Sequence, residues 1–176
     1  GFMCGLAVSS EGDLYTWGDN DCVLGHGFHL HTARQFEAPT VLEALQGERV
    51  LQVSTGGSFC LALAASGVVY SWGHGPGHGH GNLRVRRKPT AVEALRGKHV
   101  LQISAGVFHS LAISDTGVLY SWGAIMETNE GEPHVCSLPT VIETLKNERV
   151  VRISAGMSHN LALTAEQKVL SWGINA

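Results

Sequence analysis

The chain has 176 residues, a net charge of −3 and a pI near 6.4, with 44% hydrophobic and 15% charged residues. That balance excludes a disordered tail and carries no electrostatic footprint for nucleic acid or a membrane surface, so neither is expected as a partner. No run is long enough to span a bilayer as a helix.

Twenty-two glycines against five prolines point to short strands joined by tight turns. In chain order, Leu6-Ala7-Val8 is the first strand, Gly12 a turn, and Leu14–Trp17 the next strand. A polar stretch follows Trp17-Gly18, then Pro39-Thr40 with a short fourth strand expected at Val41-Leu42, and then Val50–Ser54, which ends at Gly56. The order repeats as Leu61–Leu63, Val69–Trp72, Pro89-Thr90 and Val100–Ser104, and again as Leu111–Ile113, Leu119–Trp122, Pro139-Thr140 and Val150–Ser154. Leu161–Leu163 and Val169–Trp172 begin a further copy. Trp-Gly pairs recur at spacings of 55, 50 and 50, and each Pro-Thr stands 33 residues before the next tryptophan. All length variation falls between tryptophan and proline, 22 residues and then 17 twice, which marks a surface loop. Self-similarity at this period defines repeats 1–55, 56–105, 106–155 and a partial 156–176.

In the Leu-Ala strands a bulky and a small apolar residue alternate, so both faces are apolar and each sheet is expected between two others. The alanines suit sheets converging on an axis. This predicts an all-β chain, a β-propeller of four-stranded blades, with a solenoid as the competing architecture. Thr40-x-x-Glu43, Thr90-x-x-Glu93 and Thr140-x-x-Glu143 match a helix capping box. Gly47, Gly97 or Asn147 follows at once, so the segment reads as an edge strand and turn, with a single helical turn as the alternative.

His74, His78 and His80 lie in one glycine-rich loop, and His26, His29 and His31 in its counterpart. Such density can bind zinc adventitiously, but glycines flank each histidine of the second loop and nothing fixes a geometry. An exposed flexible loop without metal is expected. His109 and His159 recur at one position, which predicts a hydrogen bond within each blade. Arg84, Arg86, Arg87 and Lys88 form a basic cluster that reads either as a solvated loop or as a grip on phosphate or an acidic surface. Cys4, Cys22, Cys60 and Cys136 have no metal-like spacing and are expected as free thiols in a reducing compartment, two disulfides being the alternative. No nucleophile and base recur together and no phosphate loop is present, so neither catalysis nor a cofactor is expected.

Ser-Ala-Gly-x-x-His-x-Leu-Ala at Ser104–Ala112 and Ser154–Ala162, with Gly-x-Leu-Tyr-Ser-Trp-Gly at Gly117–Gly123, closely resembles the regulator of chromosome condensation repeats. The resemblance covers essentially the whole chain and implies a seven-bladed propeller, of which about three and a half repeats are here. A segment of a longer protein is therefore expected, the remaining blades coming from the same parent chain. The family's loop after Trp-Gly, Asn-x-x-Gly-Gln-Leu-Gly, survives only as Asn20 and Leu24-Gly25 in the first copy. The resemblance implies a non-enzymatic protein-interaction scaffold inside the cell, in cytoplasm or nucleus. The alternative is guanine-nucleotide exchange on a Ran-like small GTPase, which would need a protruding wedge. The loop residues that would meet a protein partner are Asp19, Asp21, His26, His74, His78, His80, Arg84, Arg86 and Arg87.

Overall fold

Strands that alternate large and small side chains on both faces can only be buried in a stack of sheets, and that is what the chain builds. The computed structural model describes residues 4–19, 24–27, 35–125 and 134–173. Blade 1 comprises β1 (Cys4–Val8), β2 (Leu14–Asp19) and β3 (Gln35–Val41). Blade 2 is β4 (Val50–Thr55), β5 (Phe59–Ala64), β6 (Val69–Gly73) and β7 (Arg86–Ala91), and blade 3 is β8 (Val100–Ala105), β9 (His109–Ser114), β10 (Leu119–Ile125) and β11 (His134–Val141). Blade 4 comprises β12 (Val150–Ala155), β13 (His159–Thr164) and β14 (Val169–Gly173). Every sheet is an antiparallel meander. Among the described residues blade 1 has no counterpart of β4 and blade 4 none of β7, so the arc is an incomplete propeller. The repeat boundaries at 55/56, 105/106 and 155/156 fall in the turn between the first two strands of a sheet.

The sheets fan out from their first strands, which are stitched side by side. Gln52 Nε2 donates to the Ile103 carbonyl (2.9 Å) while its Oε1 accepts from Ile103 N (3.0 Å). Gln102 treats Ile153 in the same way, at 3.0 Å in both directions. Ser54 and Ser104, which read as turn residues in the sequence, accept from Ala105 N and Ala155 N of the following blade, each at 2.9 Å. A primary amide both donates and accepts, so one side chain satisfies two backbone groups that no sheet partner reaches. Leu51, Leu101 and Val151 stay exposed on this inner wall, around a depression of about 510 Å³.

The alanines have a different cause from convergence on an axis. Ala7, Ala62 and Ala112 stand directly across from Tyr15, Tyr70 and Tyr120, whereas Leu61 and Leu111 face Ser71 and Ser121. Opposed residues of an antiparallel pair share one face, so a small residue on one strand makes room for a large one on the next. The leucine face of each blade then packs on the alanine–aromatic face of the next. Leu61 and Leu63 lie against Ile103, Ala112, Tyr120 and Trp122, and Leu111 and Ile113 lie against Ile153 and Ala162. Leu161 and Leu163 were expected to be buried likewise. Leu161 is instead 42% exposed, Leu163 half-buried and neighbouring Val169 69% exposed, because among the described residues no further sheet covers that face. Replacing Ala112 with leucine should overpack the seam between blades 2 and 3 and cost about 1–3 kcal/mol in urea unfolding of the full-length protein. A change near zero would mean that this face is not enclosed.

Two further expectations are corrected. The fourth strand is not Val41-Leu42 but the residues up to Val41, with Pro39, Pro89 and Pro139 inside the outermost strands. Proline lacks an N–H, and an edge strand tolerates that. The Thr-x-x-Glu segments form the single helical turn held as the alternative, in 3-10 form, at Glu43–Leu45, Glu93–Leu95 and Glu143–Leu145. None has a side-chain cap. Thr40, Thr90 and Thr140 donate instead to the carbonyls of Ala38, Lys88 and Leu138, each at 3.1 Å, because these threonines belong to the edge strand.

Candidate functional site

The loops after Trp-Gly, where function was expected, are built on a hydroxyl and an imidazole. Thr16 Oγ1 donates to the Leu24 carbonyl (3.1 Å), and Ser71 Oγ to the His78 carbonyl (2.5 Å). A hydroxyl has one proton, so the ring nitrogens beside these oxygens are the donors: His26 Nε2 to Thr16 (2.9 Å) and His80 Nε2 to Ser71 (2.8 Å). His26 also stacks on Phe36 with ring centroids 4.3 Å apart.

The second loop is a packed wedge rather than an exposed flexible segment. Its turn, Pro76–His78, carries the Gly77 carbonyl, which accepts from Trp122 Nε1 (2.7 Å) and Ser110 Oγ (2.8 Å) of blade 3. Gly81 N then donates to Ser137 O of β11, as Gly27 N donates to Arg87 O of β7. Each described loop is thus laced into the following blade. Gly79 has φ +81°, and a Cβ there would lie 2.7 Å from Trp122 Nε1, so only glycine fits beside that indole. His78-Gly79 takes the place held by Leu24-Gly25 in blade 1. The shared Gly-His-Gly at 25–27 and 79–81 was the available sequence signal; different loop lengths hid it.

His78 is 0% exposed, out of reach of any partner, and both of its nitrogens are in use. Nδ1 accepts from His80 N (3.4 Å), which leaves Nε2–H to donate to the Arg84 carbonyl (3.2 Å). That ring is therefore neutral and offers no lone pair to a metal. Among the described residues no three His, Cys, Asp or Glu side chains converge as ligands.

Burial drives the His80 pKa down to about 4, with the neighbouring His78 imidazole and Arg86 guanidinium also disfavouring its protonation. Burial likewise lowers His26, His78 and His109. Above about pH 6.5 these imidazoles are neutral whether the chain is folded or not. Between about 6.5 and 4 the unfolded chain takes up protons that the folded loop refuses, so stability falls as pH falls. The urea midpoint should therefore drop from pH 7.5 to pH 5, and His80→Gln should flatten that slope. A midpoint that is flat or higher at pH 5 would contradict this.

The His109 bond crosses between blades instead of lying within one. The Asn160 amide nitrogen faces His109 Nε2 at 2.7 Å, and its oxygen accepts from Trp172 Nε1 at 3.2 Å. His159, on the uncovered face of blade 4, is exposed. Arg84 is exposed, while Arg86 and Arg87 are half-buried in the outermost strand of blade 2. The Nε atoms of Arg86 and Arg87 are buried and have no hydrogen-bond partner among the described residues, so any contact with another molecule falls to the outer nitrogens of these side chains. The ion pairs described, Glu93–Arg96, Glu143–Lys146 and Glu148–Lys168, lie elsewhere. Positive charge and Pro89 on an outer strand also keep that edge from pairing with another chain. His74 is half-buried at the start of the loop. Asp19 ends β2, and Asp21, Cys22, His29 and His31 lie outside the described residues. Among the described residues Cys4, Cys60 and Cys136 are in no disulfide.

Four antiparallel sheets arrayed as blades, with each described loop wedged into the following blade, define a partial β-propeller with its variable surface at the rim. The regulator of chromosome condensation (RCC1) repeat model matches residues 11–63 and 66–113, and a second model of that repeat matches 150–176. The chain belongs to this repeat family. It is 39% identical over 92 residues to the human E3 ubiquitin-protein ligase HERC2, a stretch that is 50% of this chain and 2% of that one. Human WBSCR16 superposes with a TM-score of 0.79 at 26% identity, covering 97% of this chain and 45% of that one. Yeast RCC1 (Prp20), crystallised with Kap60, gives 0.80 at 23% identity, 98% and 42% covered. The chain thus spans less than half the length of each of these relatives. No helix among the described residues is long and apolar enough to cross a membrane.

Proposed function

We propose that this arc is a non-enzymatic protein-interaction scaffold whose rim, at Arg84, Arg86 and Arg87, meets an acidic surface of a partner protein. The observation that carries the reading is the basic cluster at the outer edge of blade 2, with Arg84 exposed and Arg86 and Arg87 half-buried, apart from the ion pairs described. Guanidinium is weakly hydrated and matches carboxylates bidentately, which suits it to such contacts. The uncovered apolar face of blade 4 supports the further reading that the remaining blades belong to the same parent chain. The reduced state of Cys4 and Cys136 favours a location inside the cell, in cytoplasm or nucleus.

The test is affinity purification of the full-length protein beside an Arg84→Glu/Arg87→Gln variant, with circular dichroism to establish that both fold. Loss of a stoichiometric partner from the variant supports the reading; an unchanged partner set removes the rim from it. Guanine-nucleotide exchange is the second reading, because the yeast RCC1 (Prp20) study reports binding to Gsp1p and histones. Release of a fluorescent GDP analogue from a Ran-class GTPase separates the two. No acceleration is expected here, and acceleration would put exchange first.

A further inference from the structure

The seams between successive blades repeat one side-chain contact, and its chemistry changes from seam to seam. Cys4, Phe59, His109 and His159 are equivalent, each opposite the glycine of its blade's Trp-Gly pair. Cys60, Ser110 and Asn160 are equivalent in the same way, each opposite the tryptophan. At the seam between blades 3 and 4, His109 reaches Asn160 at 2.7 Å. Between blades 2 and 3 the pair is Phe59 and Ser110, and the serine turns to the Gly77 carbonyl. Between blades 1 and 2 the same two positions hold Cys4 and Cys60, whose thiols interact across the seam.

We propose that Cys4 and Cys60 form a peroxide-sensitive dithiol, a modification site that closes into a disulfide across the seam between blades 1 and 2. The two sulfurs are unequal in the manner such chemistry needs. Cys4 is half-buried, whereas Cys60 is fully enclosed among Leu14, Val50, Ala62 and Trp72. The interaction with Cys60 is the main reason that the Cys4 thiol is lowered to about 6, burial opposing it, so at neutral pH Cys4 is the nucleophile. The same interaction, together with burial, holds Cys60 protonated. A low-pKa thiol beside a second cysteine is the arrangement that oxidises reversibly.

The chemistry balances with hydrogen peroxide as oxidant. The Cys4 thiolate attacks one peroxide oxygen, the O–O bond breaks, and the departing hydroxide takes up the proton that Cys4 released. Cys4 is then a sulfenic acid. The Cys60 sulfur attacks the Cys4 sulfur, the S–O bond breaks, and the oxygen leaves as water with the Cys60 proton. Two thiols lose two electrons and two protons, and the peroxide becomes two waters. The closed bond ties blade 1 to blade 2 covalently, whereas the equivalent His109–Asn160 contact stays a hydrogen bond.

The experiment treats the native full-length protein with hydrogen peroxide, blocks free thiols with N-ethylmaleimide and maps peptides by mass spectrometry without reduction. The expected result is a Cys4–Cys60 linked peptide two hydrogens lighter than the separate thiols, returned to two alkylatable thiols by dithiothreitol and absent from Cys4→Ser. Cys4→Ser keeps a hydrogen-bonding group of similar size, and the wild-type map stands without it. The proposal is overturned if Cys4 ends as sulfinic acid while Cys60 stays a thiol, if both remain alkylatable, or if Cys4 links to Cys22 or Cys136.

Discussion

Replacing Trp122 with alanine should destabilise the full-length protein by about 3–5 kcal/mol, the usual range for emptying a fully buried tryptophan site. The indole of Trp122 is enclosed at the seam of blades 2 and 3, against Leu61, Leu63 and Ala112. It also donates to the Gly77 carbonyl, so its removal leaves that carbonyl with Ser110 as its one side-chain donor. Lost packing and a loosened loop act in the same direction, which places the expected value in the upper part of the range. With a urea slope of about 1–3 kcal/mol/M, the midpoint falls by more than about 1 M. Trp122→Phe should fall well short of that, since it keeps a ring and gives up mainly the hydrogen bond, about 1 kcal/mol. If alanine and phenylalanine cost the same, the indole is not packed as described.

Gly123→Ala should cost about 2–5 kcal/mol, although it adds one methyl group. Glycine follows tryptophan in all four copies, and Gly18, Gly73, Gly123 and Gly173 have φ between 105° and 115°. The strand register slips at the first three of these sites, between Thr16 and Gly18, Ser71 and Gly73, and Ser121 and Gly123. The pair is therefore a β-bulge that turns the tryptophan into the seam, and it needs a conformation L side chains resist, at about 1–3 kcal/mol. A Cβ on Gly123 would also run into the Phe108 carbonyl oxygen and lie 2.6 Å from the His109 Cα. Both are backbone atoms that cannot rotate away, which adds about 1–3 kcal/mol of overpacking. Gly97 is the control: its φ is +73°, but a Cβ there meets nothing within 4 Å. Gly97→Ala should thus show the backbone strain alone. Equal losses at the two sites would remove the steric part of the explanation.

The bulge shows why the repeat was so legible. Trp-Gly, Leu-Ala and Tyr-Ser answer to constraints within one blade, across a single strand pair, and such constraints recur wherever that pair recurs. Spacing alone therefore located the strands, the turns and the all-β architecture. The reason for the alanines was misread for the same cause. Their alternation is visible along one strand, but the tyrosine that demands it stands on the next.

The loops were legible only in part. His78 carries the sequence features of an exposed histidine, glycine on both sides in a polar run, yet it is sealed inside. What buries it is Trp122 and Ser110, more than thirty residues away, and the carbonyl they share belongs to Gly77. Asn160 likewise completes a bond with His109 across a seam, at a position where the other copies carry glycine, cysteine and serine. The sequence by itself determined the repeat, the strand order and the two apolar faces, because those follow from local periodicity and fixed spacing. Only the tertiary structure decided which side chains meet between blades. Those meetings depend on the distance between successive sheets, and no spacing along the chain encodes it.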